Sequence, residues 1–245
     1  MTMQHLLLRL EAPLMSFGSV SVDEHGVIER WPAVSMLCGL FGNALGYRRT
    51  DAARLDALQQ RIVWAARVDR PGVMVQDFQT AQLGKSDKAW TTRGRPETRA
   101  GGAATYDSPH IRYRDYWADA SLAVAVRLEP ADETPSLDAL AAALKAPARP
   151  LFIGRKSCLP SCHVLQGTVE AADALAALAQ AAFAADSAPT AAVFFNDLRA
   201  ESVAIRRHRA ADERRFELDV HAGQVTVFEG PSVRQDNEGR REMKP

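Results

Sequence analysis

The order in which two apolar periods alternate along the chain is what most restricts its fold. Leu6, Leu8 and Leu10 alternate with His5, Leu7 and Arg9, which predicts a first strand with one face in the core and Arg9 on the other. Trp31-Pro-Ala-Val-Ser35 reads as a helix entrance, and Met36 to Leu45 as the helix itself. Asp51 to Gln60 is a short amphipathic helix; Ile62 to Val68 and Gly72 to Val75 then read as two strands joined by an Arg70-Pro-Gly turn. Trp117 to Leu128 alternates as a strand, Ser136 to Leu144 reads as a helix capped by Ser136 or Thr134, and Val164 to Val169 is a further strand. Such an order predicts an α+β, ferredoxin-like domain over residues 1–170, interrupted by an insertion.

Beyond residue 170 the pattern changes. Asp173 to Ala185 is alanine-rich and predicts a helix. Ala191 to Phe195, Ser202 to Arg207 and Phe216 to Val220 read as strands of a smaller second sheet, with Val225 to Phe228 as a last strand. Residues 171–230 are therefore expected to form a smaller, β-rich C-terminal part, and residues 231–245 a flexible polar tail.

Charge balance narrows the function. Thirty basic and thirty acidic residues leave no net charge, so bulk attraction to nucleic acid is excluded and any polyanion site must be local. Two stretches could supply one. Within residues 76–115, Lys85, Lys88, Arg93, Arg95, Arg99, Arg112 and Arg114 are set among Trp90, Tyr106 and Tyr113, a composition suited either to an arm that touches nucleic acid or to a solvated loop. In Arg149-Pro-Leu-Phe-Ile-Gly-Arg-Lys-Ser-Cys158, an apolar run breaks at Gly154 and turns into cations and small polar side chains. Gly154 can take positive φ and let backbone amides approach a ligand, while Arg155, Lys156 and Ser157 offer donors suited to phosphate oxygens.

Smaller signals surround these. Phe17 is either a core plug or a platform on which a base stacks. Gly39 and Gly42 inside the first helix each cost about 1 kcal/mol relative to alanine, which implies close packing on a sheet or close approach of a ligand. The amino terminus of that helix, at Ser35, could hold a phosphate.

Catalytic constellations are missing from the sequence. It contains no Gly-x-Ser-x-Gly elbow, Walker loop, His-Glu-x-x-His or EF-hand spacing, and no cofactor is expected. Cys158, Cys162 and His163 supply three metal-ligand types without an obvious fourth, so no metal site is assigned. His110 could act as a general base for metal-independent RNA cleavage, with Lys85 or Tyr106 nearby. No run approaches the roughly 18 apolar residues of a membrane span, and no export signal opens the chain, so a cytoplasmic protein is expected.

Five segments, in order, resemble the fifth Cas protein family in its type I-E branch: Ala12-Pro-Leu-Met-Ser-Phe-Gly18, Trp31 to Gly46, Asp77-Phe-Gln-Thr80, Tyr113 to Ala120 and Pro150 to Cys158. The resemblance runs in register to about Val169. It implies a CRISPR RNA-binding subunit with an inserted thumb, at about residues 76–115, that caps one end of the Cascade surveillance complex. Such a subunit holds the 5′ handle of the guide RNA, touches the neighbouring backbone subunit and the large subunit, and meets target DNA only through the assembled complex. No catalysis is expected in this branch, whereas the type I-C branch cuts repeat RNA and supplies the alternative. Arg9, Ser16, Phe17, Arg30, Ser35, Phe152, Gly154, Arg155, Lys156 and Ser157 are the implied RNA-binding residues, with Arg93, Arg95 and Arg99 in the thumb. An unrelated protein that binds a phosphorylated metabolite at the glycine loop is the remaining reading.

Overall fold

The computed structural model describes residues 2–19, 21–22, 24–82, 89–90, 96–97, 109–188, 190–218 and 220–234. In chain order the elements are β1 (Met3–Glu11), β2 (Leu14–Met15), β3 (Ser21–Val22), β4 (His25–Gly26), α1 (Val34–Ala44), α2 (Ala52–Arg61), β5 (Ile62–Arg70), β6 (Val73–Ala81), β7 (Ala89–Trp90), β8 (Pro96–Glu97), β9 (His110–Ala118), β10 (Ser121–Leu128), α3 (Leu137–Lys145), β11 (Leu165–Ala171), α4 (Ala174–Leu178), β12 (Thr190–Phe195), a 3-10 turn (Leu198–Val203), β13 (Arg206–Arg215) and β14 (Val220–Arg234).

Seven strands make one antiparallel sheet in the order β11-β1-β10-β5-β12-β14-β13. Strand β10 is buried along its whole length because both faces of the sheet are covered. On one face Leu6, Leu8, Leu10, Trp64, Val124 and Val126 pack with residues of α1, α2 and α3, including Leu37, Phe41, Leu55 and Leu140. Side chains of that size stabilise by about 1.5–3 kcal/mol each when fully buried. The opposite face is lined by smaller groups: Leu7, Ala65, Ala123 and Ala125 meet Ala174, Ala177 and Leu178 of α4, and Phe195 and Phe228 fill its far end. Alanines on both sides allow the short helix to lie close to the sheet.

A second sheet carries the insertion. Its central strand β9 pairs antiparallel with β6 from Val73↔Ala118 to Ala81↔His110, making a long two-stranded ribbon. The other edge of β9 meets β2 at Trp117 and Ala118 and, in parallel, β4 at Tyr113 and Arg114. Beyond the ribbon β7 pairs with β8. Lys85, Lys88, Arg93, Arg95, Arg99 and Tyr106 lie outside the described residues, as does the side chain of His110.

Several expectations are corrected. Strands β12, β13 and β14 extend the first sheet through the β5–β12 pairing and do not form a second, smaller one. Hydrogen bonding explains this: without β12 one edge of β5 would be open, and β12 closes it while burying Phe194 on one face of the sheet and Phe195 on the other. The alanine-rich helix ends at Leu178, and the next residues wrap around Arg67, whose guanidinium takes the carbonyls of Ala181 and Ala182 at 3.0 Å each. Leu198–Val203 is a 3-10 turn, so the strand predicted from Ser202 starts at Arg206; residues 216–218 turn between β13 and β14; and β14 runs on to Arg234, past the expected start of the tail. The strands flanking Arg70-Pro-Gly72 diverge into different sheets. No described helix is long and apolar enough to cross a membrane.

Candidate nucleic-acid interface

The glycine loop is tied into the core at both ends. Ile153 and Cys158 are fully buried, the Ile153 amide donates to the Cys158 carbonyl at 2.8 Å, and the Cys158 amide donates to the Arg155 carbonyl at 2.9 Å. This leaves Gly154, Arg155, Lys156 and Ser157 as a tight protruding turn. Ser16 holds it from below, its amide donating to the Ile153 carbonyl at 3.2 Å. Gly154 adopts φ +90°, and a Cβ there would lie 1.7 Å from the Ser16 carbonyl oxygen, so no other residue fits. Ser16 thus contributes backbone and its side chain is buried. Lys156 and Ser157 are exposed at the tip.

Beside the loop opens a cleft of about 630 Å³. Arg48, Arg49, Arg114, Arg149, Arg155 and Arg214 line it, together with the aromatic rings of Tyr47 and Phe152, and among the described residues no aspartate or glutamate does. On a chain without net charge this is a local concentration of cations. Two of them are held by neutral acceptors. Arg149 Nε donates to Asn43 Oδ1 at 2.8 Å and its terminal nitrogen to the Tyr47 carbonyl, while Asn43 Nδ2 donates to the Pro150 carbonyl at 2.6 Å. Arg155 donates to the carbonyls of Asp115 at 2.9 Å and Gly26 at 3.2 Å, and its guanidinium lies 4.6 Å from the centre of the Tyr116 ring. Carbonyls fix these side chains without cancelling their charge. Burial, with the neighbouring Arg155 and Arg112 adding to it, lowers the Arg114 pKa, and burial together with Arg49 lowers that of Arg214. Burial and Arg214 also lower His221, leaving its imidazole neutral at pH 7.

The amino terminus of α1 lies at this cleft, yet a protein carboxylate occupies it. Asp212 of β13 accepts from the Val34 amide, from the Ser35 amide at 3.1 Å and from Ser35 Oγ at 2.5 Å. The expected phosphate position at Ser35 is thereby corrected: the helix-end donors are spent on a carboxylate more than a hundred residues away in sequence. Desolvation raises the Asp212 pKa to about 6, against the lowering effect of the Ser35 and Val34 donors.

Other expected residues fall elsewhere. Arg9 is on the opposite face of the sheet, paired with Asp69 at 2.5 Å and donating to the Ala182 carbonyl at 2.6 Å, so its charge is spent inside the protein. Phe17 is a core residue, 1 % exposed, which removes it as a stacking platform. Arg30 is exposed and lies over the Phe194 ring at 5.6 Å, outside the cleft. Gly42 makes room for Leu55 of α2 instead of for a sheet, whereas Gly39 opens onto the cleft with nothing near a Cβ. Cys158 is buried and Cys162 exposed, and among the described residues no group of three or more His, Cys, Asp or Glu side chains could hold a metal ion.

The structure thus brings Ser16, Ser35, Phe152, Gly154 and Arg155 to one cleft and leaves Arg9, Phe17 and Arg30 out. It adds Arg48, Arg49, Arg149 and Arg214. The Arg48-Arg49 pair two residues past Gly46, just beyond the end of α1, was a usable local signal; nothing local ties Arg214 to a loop almost 60 residues earlier.

Fold and cleft define a mixed α+β protein with a strongly cationic groove beside a glycine turn. A family model described as CRISPR-associated protein (Cas_Cas5) matches residues 5–228. The chain belongs to this Cas5 family. It is 30 % identical over 174 residues to the CRISPR system Cascade subunit CasD of Escherichia coli (strain K12), covering 71 % of this chain and 75 % of CasD. Among solved structures, a chain of a CRISPR RNA-guided surveillance complex superposes with a TM-score of 0.66 at 25 % identity, over 94 % of this chain and 91 % of that one. A second, described as the crystal structure of a Cas protein, gives 0.54 at 22 % identity over 98 % and 100 %, a likeness of fold alone.

Proposed function

We propose that this chain is the non-catalytic subunit of a type I-E Cascade surveillance complex that holds the 5′ handle of the guide RNA. The observation that carries this reading is the cleft: six arginines and, among the described lining residues, no carboxylate, beside a rigid glycine turn whose tip presents Lys156 and Ser157 to solvent. Such a groove suits a single strand whose phosphates meet guanidinium and ammonium groups and whose bases meet the face of the half-buried Phe152. The likeness to CasD and to a surveillance-complex chain supports the assembly context. In this reading the strand order β11-β1-β10-β5 is the ferredoxin-like half of residues 1–170, residues 171–230 extend it, and the ribbon of β6 and β9 is the root of a thumb carrying Arg93, Arg95 and Arg99. The subunit contacts the neighbouring backbone subunit and the large subunit, and target DNA is met only in the assembled complex.

The test is incubation with labelled cognate repeat RNA in EDTA, scoring binding and cleavage together. Binding without cleavage is expected, weakened several-fold in Lys156→Ala and unchanged in His110→Ala. Site-specific cleavage that disappears in His110→Ala would make the protein a processing nuclease instead.

A further inference from the structure

Arg155 is surrounded by acceptors that a phosphate ligand would not need. One edge of β9 is paired at Tyr113 and Arg114 by β4 and at Trp117 and Ala118 by β2, and both partner strands are two residues long. Asp115 and Tyr116 fall in the interval between them. The Arg155 guanidinium fills that interval, giving one N–H to the Asp115 carbonyl, another to the Gly26 carbonyl at the end of β4, and lying against the ring of Tyr116. One side chain of the glycine loop therefore completes the ladder at the root of the ribbon. Gly26 fits the same arrangement: a Cβ there would lie 2.9 Å from an Arg155 terminal nitrogen and 2.7 Å from one of Arg114. A side chain at position 26 would push the fork away.

We infer that Arg155 is a positioning residue that locks the orientation of the β6–β9 ribbon relative to the glycine loop, and that it acts on RNA through this geometry and not as a phosphate contact. The inference rests on the handle-binding reading for its effect on RNA, while its structural half stands without it. What matters is the planar fork, because two carbonyls are reached at once from one guanidinium. A lysine keeps the charge and loses the fork.

The experiment uses the full chain with four variants, Arg155→Lys, Arg155→Ala, Gly26→Ala and Lys156→Ala, and two readouts. Amide hydrogen exchange in segments 24–26 and 113–116 is expected to quicken at least tenfold in Arg155→Lys, Arg155→Ala and Gly26→Ala and to stay as in the wild type in Lys156→Ala. For repeat RNA, the first three variants are expected to weaken binding by a similar factor of roughly ten. Arg155→Lys and Gly26→Ala should keep the wild-type salt slope, whereas Lys156→Ala lowers it by about 0.7, one single-strand phosphate contact. An Arg155→Lys variant that binds like the wild type, or unchanged exchange in the first three variants, overturns the inference. Quickened exchange in a protein whose wild type does not bind repeat RNA overturns the handle-binding reading alone and leaves the lock standing.

Discussion

Arg67 and Arg149 are both drawn out of bulk solvent, yet they end against opposite kinds of partner. Arg67 lies on the α4 side of the sheet, 3 % exposed at its side chain, and forms an ion pair with Asp69 at 2.5 Å; Arg9 joins the same carboxylate from β1. Nearby, Arg127 pairs with Asp197 at 2.9 Å and Glu129 at 2.6 Å. Arg149, in the cleft, donates to an amide oxygen and a carbonyl, and Arg155 to two carbonyls. The same residue type is thus used in two ways. On one side its charge is neutralised and holds segments 179–188 to the sheet; on the other the side chain is fixed by neutral acceptors, so the local positive potential is not cancelled. The difference explains how a chain with no net charge can offer a polyanion site.

Breaking the neutralised side should have the largest effect. Asp69→Ala leaves Arg9 and Arg67 without their carboxylate and also removes the acceptor for the Ala184 amide. A loss of about 3–5 kcal/mol is expected in urea unfolding. The loop that carries the other side is nearly as sensitive, for steric reasons. Gly154→Ala forces a side chain onto the Ser16 carbonyl at positive φ, and a loss of about 3 kcal/mol together with weakened repeat-RNA binding is expected; wild-type stability would mean that the turn moves freely.

Asp212 sits between the two regimes, a carboxylate near the cleft that meets backbone and hydroxyl donors instead of an arginine. Its folded pKa of about 6 lies above the ordinary 3.8. Between those values the native state holds the proton more tightly than the unfolded chain, so this contribution is fully present below the unfolded pKa and is lost as pH rises through about 6. Urea midpoints from pH 4 to 7 should show a fall of about 2 kcal/mol from this group, and Asp212→Asn, which cannot ionise, should remove that slope. The smallest change in stability is expected at the open cations. Arg48→Ala and Lys156→Ala should alter stability by less than about 0.5 kcal/mol, while each lowers the salt slope of RNA binding by about 0.7. A loss of stability comparable to that of Asp69→Ala would erase the distinction between the two sides.

Individual residues show how far the sequence could be read. The period-two pattern of β1 correctly placed Leu6, Leu8 and Leu10 on one face and Arg9 on the other, since side-chain direction in a strand is a local property. Ser136 was legible as a cap for the same reason; its hydroxyl accepts from the Ala139 amide at 3.1 Å. Gly154 stood out as a break in an apolar run followed by cations, a pattern that a solvated turn shares; its positive φ and its packing on the Ser16 carbonyl are seen only in the fold. The face opposite the core carried the errors. Arg9 looked available because its strand position pointed away from the leucines, but Asp69 of β5, in the same sheet, pairs with it, and the segment after α4 covers that face and takes another of its donors at the Ala182 carbonyl. Ser35 looked like an anion site because the partner that fills it lies on β13.

Periodicity, turn residues and composition determined the succession of strands and helices, the position of the rigid glycine turn and the need for any polyanion site to be local, because each depends on neighbours within a few residues. Only the tertiary structure decided that β12 to β14 join the first sheet, that Arg9 and Ser35 are occupied by Asp69 and Asp212, and that arginines from four separate stretches of chain line one cleft. Strand pairing and charge pairing are long-range choices, settled by which edges and which acceptors the completed fold brings within hydrogen-bonding distance.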